Sequence, residues 1–232
     1  MSGIYFKKAI INNPYNLLPI GVVYSIPNSN YKVLSTEAIS LYIYLSRKFY
    51  KEFNQSQFNL KFSDLYNCLF MNKTQYKKRK DILYNAINEL KDNDLLQCRY
   101  NMRDETIKNI SIAYIDKNIP KVKLSNTDYN TLLEINKPKL FRLYSILACR
   151  MSKDKFTYPT TSQLIDQFNI KVSKNTVVSL LDKLIELNII YKNTISIDKC
   201  LRKSIYGLHK DKTKVNKQAK KMLYNKGTNK QD

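Results

Sequence analysis

The residues best suited to chemistry in this sequence are a cluster of cations between positions 72 and 80. Five lysines and arginines fall within these nine residues, and no acid lies among them. Lysine neutralises phosphate, arginine can bind guanine, and glutamine can bind adenine through two hydrogen bonds. These residue types predict contact with DNA, although a solvated helix face is the alternative interpretation of any charge run. The candidates are Asn72, Lys73, Thr74, Gln75, Lys77, Lys78, Arg79 and Lys80.

A second candidate set is smaller and mostly uncharged. Hydroxyl and amide side chains can donate to phosphate oxygens and base edges where two molecules approach closely. The alternative for its first serine is a purely structural role as a helix N-cap. This set consists of Lys171, Ser173, Lys174, Asn175, Thr176 and Ser179.

Basic residues in two strand-like regions form a third set. Exposed basic turns can contact the DNA backbone or minor groove, and they also serve solubility. This set consists of Arg99 and Arg103 in the first region and Lys199, Arg202 and Lys203 in the second.

The charge balance favours a polyanionic partner. The 232 residues include 40 Lys and Arg against 19 Asp and Glu, a net charge of +21. Such an excess indicates DNA, RNA or an anionic membrane surface. No segment has the run of ~20 apolar residues that a membrane span needs, and the start lacks the apolar stretch of a signal peptide. We therefore expect a cytoplasmic protein that binds a nucleic acid and no membrane; the expected partner, double-stranded DNA, depends on the fold and not on the charge.

Several classes of site are excluded by composition. The four glycines form neither GxxxxGK[ST] nor GxGxxG, which argues against an ATPase or a dinucleotide-binding protein. The single histidine, His209, excludes the paired-histidine metal site of DNA-nicking enzymes. The four cysteines contain no CxxC pair, and the acidic residues are scattered. We expect no catalytic residues, no metal and no cofactor.

The chain repeats one plan twice. In the first copy, alternation in residues 21–26 predicts a strand and Ser35 or Thr36 starts a helix. A short helix (64–70) and a third helix (from Asn72 or Thr74 to about Asn93) come next. Two strand-like segments, 95–100 and 107–115, close this copy.

The second copy follows a linker at residues 116–123. Ser125 or Asn126 caps a lead-in helix, Pro138 begins the next helix, and Thr160 or Thr161 and Ser173 cap two more. A hairpin of residues 189–197 and 201–208 closes this copy. From Lys210 the apolar pattern disappears, which predicts a short helix that frays into a basic tail.

This order is typical of the winged helix, in which the third helix enters the DNA major groove. The predicted fold class is mainly α with small β-hairpins (α+β), built as two tandem winged-helix domains. The predicted boundaries are residues 1–116 and 117–209 for these domains and 210–232 for the tail. Tyrosines interleaved with lysines offer stacking on single strands as an alternative role, but most fall on helical stripes that predict core packing.

The tandem plan carries a family resemblance. The segments LSTEAISLYIYLSRKF (residues 34–49) and INKPKLFRLYSILACR (residues 135–150) resemble the starts of the two winged helices in replication initiators of theta-replicating plasmids. The likeness covers roughly residues 20 to 208. It implies binding of repeated origin sequences, DNA opening and recruitment of host replication proteins. It also implies a homodimer formed through the first domain and repression of the chain's own gene.

The leading hypothesis is thus a sequence-specific DNA-binding protein that initiates plasmid replication without enzymatic activity. A transcriptional regulator or accessory DNA-binding protein of a mobile element could use the same modules. A nuclease or relaxase and an RNA-binding protein are the remaining alternatives.

Overall fold

The computed structural model describes residues 15–27, 29–51, 60–71, 75–112, 119–168, 170–196 and 202–228. Among these residues, eight α-helices are combined with strands in three small antiparallel sheets. The α+β class is therefore confirmed. The contacts divide the chain into two compact units, Met1–Phe141 and Arg142–Asp232.

The described residues of the first unit form four complete α-helices and five strands. The helices are α1 (Thr36–Lys51), α2 (Phe62–Tyr66), α3 (Arg79–Asp92) and α4 (Asn126–Ile135). The strands are β1 (Tyr15–Pro19), β2 (Leu60–Lys61), β3 (Leu96–Asn101), β4 (Thr106–Ile112) and β5 (Lys121–Ser125). Strand β4 lies between β2 and β3, and β1 pairs separately with β5.

Helix α1 begins where the sequence predicts. The Ser35 hydroxyl accepts a hydrogen bond from the Ala38 N–H at 3.1 Å, which satisfies one of the free donors of the first turn. Ile39, Tyr42 and Ile43 follow at helical spacing and are buried. The amphipathic pattern therefore decides which face of α1 enters the core.

The strand predicted at residues 21–26 is wrong. Ile20–Val22 form a single 3-10 turn, and the strand lies earlier, in β1. Gly21, Val22 and Val23 are all buried, whereas an edge strand would alternate between faces. A Cβ on Gly21 would lie 2.2 Å from Ser29 Oγ, so this turn needs glycine for its close approach.

The second and third helices begin differently from the prediction. Helix α2 runs from Phe62 to Tyr66, so it starts and ends earlier than the predicted 64–70, and Asp64 accepts a hydrogen bond from the Lys61 N–H at 3.2 Å. Gln75–Lys78 form a 3-10 turn, and α-helical geometry begins only at Arg79. The predicted starts at Asn72 and Thr74 lie outside the described residues.

The predicted linker at 116–123 contains secondary structure. Its residues 121–123 belong to β5, which pairs with β1 from Tyr15–Ser125 to Pro19–Lys121. Helix α4 follows, capped by Ser125 as predicted, and Tyr129 in α4 lies 2.8 Å from Ser40 Oγ in α1. These contacts hold β5 and α4 to the first unit, so the division falls inside the next helix, between Phe141 and Arg142, and not at residue 116.

That helix, α5 (Pro138–Arg150), leads into the second unit. The remaining elements are β6 (Phe156–Thr157), α6 (Thr161–Gln167), α7 (Lys174–Glu186), β7 (Ile190–Ser196), β8 (Arg202–Leu208) and α8 (Lys212–Thr228). Pro138 at the first helical position is as predicted, and Thr160 and Ser173 are the N-caps of α6 and α7. Strand β8 lies between β6 and β7, the same order that β2, β4 and β3 have in the first unit.

The helix predicted after Lys210 is present, but the prediction that it is short is wrong. Helix α8 has 17 residues and packs on the β7–β8 hairpin. Val215 and Ala219 are buried in one cluster with Ile195 and Ile205. The Asn216 carboxamide accepts hydrogen bonds from Tyr191 and Asn193 at 3.1 and 2.8 Å. The apolar stripe of α8 contains only a few residues among many lysines, so the sequence pattern did not predict its packing.

The described helices do not include a membrane span. None of them combines the length with the apolar character that crossing a bilayer requires.

Candidate nucleic-acid interface

In the first unit, the cationic segment is mostly exposed. Lys77, Lys78 and Lys80 lie on the surface, while Gln75 and Arg79 are half-buried. Asn72, Lys73 and Thr74 lie outside the described residues.

Arg79 is directed toward α2. Its guanidinium lies 4.8 Å from the centre of the Tyr66 ring and interacts with the phenol. Burial raises the pKa of Tyr66, and Glu105 nearby adds to the rise while Arg79 opposes it. The structure therefore gives Arg79 a role in joining α2 to α3, which competes with the predicted contact to guanine.

Lys80 forms an ion pair with Glu105, at the turn between β3 and β4. The hydrogen bond from Lys80 lowers the pKa of Glu105, and the same bond raises the pKa of Lys80. The cationic stretch has no acid in its sequence, but the hairpin brings one to it in space. Part of its positive charge is therefore neutralised in the free protein.

The first hairpin exposes both predicted arginines. Arg99 lies on β3 opposite Lys108, and Arg103 lies at the turn. The Asn101 side chain accepts hydrogen bonds from the N–H groups of Arg103 and Asp104 at 2.9 and 3.2 Å. Exposed Lys108 was not among the predicted residues, because its position opposite Arg99 depends on a strand register that shifts between Gln97 and Arg99. Like charges facing each other are unfavourable until an anion lies between them.

In the second unit, α7 exposes Lys174, Asn175 and Ser179. Ser173 accepts a hydrogen bond from the Thr176 N–H at 3.2 Å, and the two hydroxyl oxygens lie 2.9 Å apart. The capping interpretation of Ser173 is therefore confirmed, and Thr176 is half-buried. Lys171 is exposed just before the helix.

Val178 is an exposed residue that the sequence analysis missed. Its side chain is 42% accessible and lies about one helical turn after Asn175 on the outward face. The inward stripe contains Val177, Leu181 and Leu184, so the helical period leaves Val178 outside. An apolar side chain among polar ones is suited to contact with the methyl group of thymine.

Each outward face also carries a carboxylate. Asp81 on α3 and Asp182 on α7 are both exposed. Carboxylates disfavour phosphate. Asp182 lies in the second half of α7, whereas Asp81 lies in the first turn of α3, so of the two helices only α7 has an N-terminal turn without a carboxylate. Recognition helices contact base edges with their N-terminal end.

In the second hairpin, Arg202 is exposed at the start of β8. The Lys203 ammonium lies 4.1 Å from the centre of the Tyr158 ring and is half-buried. Lys192 on β7 is also exposed, although it was not predicted as a site residue. Lys199 lies outside the described residues.

The arrangement offers cations, amides and hydroxyls, which suit binding. Among the described side chains, His, Cys, Asp and Glu do not assemble into a group that could hold a metal ion. Comparison with protein-family models, curated proteins and solved structures finds no match.

Proposed function

We propose that this protein binds specific sequences of double-stranded DNA through two winged-helix modules, with α3 and α7 as the recognition helices. The observation that carries the proposal is the repeated order of elements. In both units, a long helix is followed by a short strand, a short helix, a third helix and a hairpin, with the same strand order in the sheet. The N-terminal end of the third helix is polar and exposed in both cases.

Charge supports the same conclusion. The net charge of +21 favours a polyanion, and exposed lysines lie on both third helices. Two modules in one chain can contact two segments of one duplex, which raises affinity by effective concentration without additional contacts.

Within this class we propose the role of plasmid replication initiator, which the sequence resemblance favours. The modules would bind repeated sites at an origin, and the protein would recruit host replication proteins there. The resemblance also implies homodimerisation and repression of the chain's own gene.

Binding is tested by selection from a random duplex library, followed by footprinting of the selected sites. We expect one preferred sequence protected over two adjacent major-groove segments. Equal binding to all duplexes would contradict specific recognition.

The initiator role requires a separate test in cells. A fragment that holds only the gene and its adjacent DNA is introduced as the sole origin of a plasmid. We expect replication that stops when the gene is interrupted and resumes when the chain is supplied in trans. Replication that continues without the gene would contradict the initiator role, and footprints over the gene's promoter would then favour a transcriptional regulator.

A further inference from the structure

The second unit contains a surface groove whose lining residues do not belong to α3 or α7. Two open depressions of about 580 and 470 Å³ adjoin because Asp154 and Phe156 line both. One is bounded by α8, and the other by Tyr158 and the start of α6. We call them together the Phe156 groove.

The groove is strongly cationic. Four of its lysines recur along α8 at positions that share a side of the helix, and two further cations lie beyond Phe156. Asp154 is its one acidic lining residue. An anionic chain is therefore the complementary occupant. The cations are Arg150, Lys203, Lys214, Lys217, Lys220 and Lys221.

Aromatic rings line the same groove. Tyr158 is 47% exposed and Tyr224 is 77% exposed, while Phe156 is partly buried against the core of this unit. The Lys203 ammonium lies 4.1 Å from the centre of the Tyr158 ring and covers one of its two faces, so a base would stack on the other face. Tyr224 lies on α8 beside the lysines, so ring and charge occur together.

Rings and cations together distinguish between forms of nucleic acid. A duplex presents its phosphates to a protein surface but keeps the flat faces of its bases stacked inside. An unpaired strand offers both phosphates and base faces, and sites for single strands combine a basic groove with aromatic stacking platforms. Lysines alone would suit either form, and the exposed rings favour the unpaired strand.

We propose that the Phe156 groove binds an unpaired polynucleotide strand, with bases stacked on Tyr158 and Tyr224 and phosphates held by the lysines of α8. This activity goes beyond duplex recognition and uses other elements. It does not rest on the function proposed above, because neither tyrosine is on α3 or α7.

The first test removes the rings. The full chain is titrated with fluorescent oligothymidylate and oligouridylate of about 16 nucleotides, near the upper limit of a single-strand site, and with a duplex of equal length. For Tyr158→Ala combined with Tyr224→Ala, we expect single-strand affinity to fall at least about 30-fold, since two stacked bases are lost and each contributes at least about 1 kcal/mol. Duplex affinity should be unchanged.

The matched control is Leu223→Ala, which removes an exposed apolar side chain of α8 that does not line the groove. It should leave every affinity unchanged, and thermal unfolding of each variant shows whether α8 remains folded. Unchanged single-strand affinity in the folded tyrosine variant would overturn the proposal. Equal losses on single strand and duplex would assign the groove to duplex DNA and overturn it as well.

The second test removes charge. Lys217→Gln with Lys221→Gln is compared with Lys139→Gln and Lys153→Gln, two exposed lysines outside the groove. We expect the groove pair to weaken single-strand binding more than the control pair does. Equal effects of the two pairs would show attraction by net charge alone and contradict a defined site. Comparing thymidylate with uridylate identifies DNA or RNA as the preferred strand.

Discussion

At the scale of single residues, the ion pair between Lys80 and Glu105 reduces the positive charge that α3 exposes. The pair is exposed, so it adds little to stability, and an exposed pair is easily exchanged for a phosphate. Replacing its acid should therefore affect binding more than folding.

For Glu105→Gln we expect tighter duplex binding by a few fold, because Lys80 is released and a carboxylate is removed from the face. If Lys80 then contacts a phosphate, the slope of log affinity against log salt should steepen by about 0.9. Anisotropy titrations at several salt concentrations measure both the duplex affinity and its dependence on salt. The control is Glu134→Gln, which removes an exposed acid elsewhere. Tightening by the two variants to the same extent would contradict a local role for Glu105.

Replacing Lys77 and replacing Asn175 should affect duplex binding in different ways. Lys77→Ala should weaken binding about equally for all duplex sequences, since a lysine mostly contacts phosphate. Asn175→Ala should relax preference at one position and cost about 1–3 kcal/mol on the preferred site only. Affinities for a selected site and for its single-base variants separate the two effects. Sequence-independent loss in both variants would contradict base recognition by α7.

Buried acid groups give the first unit a stability that depends on pH. Burial raises the pKa of the Tyr129 phenol and of the Cys68 thiol above their usual ranges. The folded state therefore holds these protons more tightly than the unfolded state does. This contribution is complete below the usual values of about 8.5 for Cys and about 10 for Tyr, and it is lost as pH rises above them.

For Tyr129→Phe we expect a loss of about 1 kcal/mol in the free energy of unfolding at neutral pH, because the hydrogen bond to Ser40 disappears. Ser40 keeps its bond to the Cys68 carbonyl, which limits this cost. Above about pH 10 the difference between parent and variant should shrink, since only the parent must bury a phenol that would ionise when unfolded. Urea unfolding of both proteins across this pH range measures the difference in their free energies of unfolding. A difference that grows with pH would contradict the assignment.

At the scale of elements, α8 supports the second hairpin from the face opposite the one that α7 contacts. Gly207 in β8 allows this packing, because a Cβ there would lie 2.3 Å from Val215 Cγ2 and 3.0 Å from the Lys155 carbonyl oxygen. The helix therefore depends on one small residue in the strand beneath it. A rigid hairpin can hold Arg202 in one place.

We expect Gly207→Ala to lower the free energy of unfolding by about 1–3 kcal/mol through overpacking. Adding Val215→Ala removes the methyl group that clashes, so the double variant should lose less than the sum of the two single losses. Denaturant unfolding of all four proteins completes the cycle. Strict additivity would show that α8 does not pack closely at Gly207.

At the scale of the whole molecule, the net charge of +21 predicts how the proposed duplex binding responds to salt. If about 6–10 phosphates are neutralised, affinity should fall about 10³–10⁵-fold between 50 and 200 mM salt. Titrations of a selected duplex across this range give the number of contacts from the slope. A nearly flat response would contradict an interface built on lysine.

The sequence alone determined those features that depend on local spacing. Ser35, Ser125, Thr160 and Ser173 precede amphipathic runs, and the structure confirms that helices begin there. Capping and helical periodicity act within a few residues, so both are visible in a single segment. The repeated order of elements follows from them, as does the exposure of Lys77, Lys174 and Asn175.

Only the tertiary structure decided the features that depend on distant partners. Strand β1 exists because β5 pairs with it, and α8 is ordered over 17 residues because a hairpin face accepts its narrow apolar stripe. Glu105 reaches Lys80 only through a turn 25 residues later in the chain. The Phe156 groove likewise joins α8 to residues before α6. Pairing of this kind leaves no periodic trace in either segment, because each segment contributes only half of the contact.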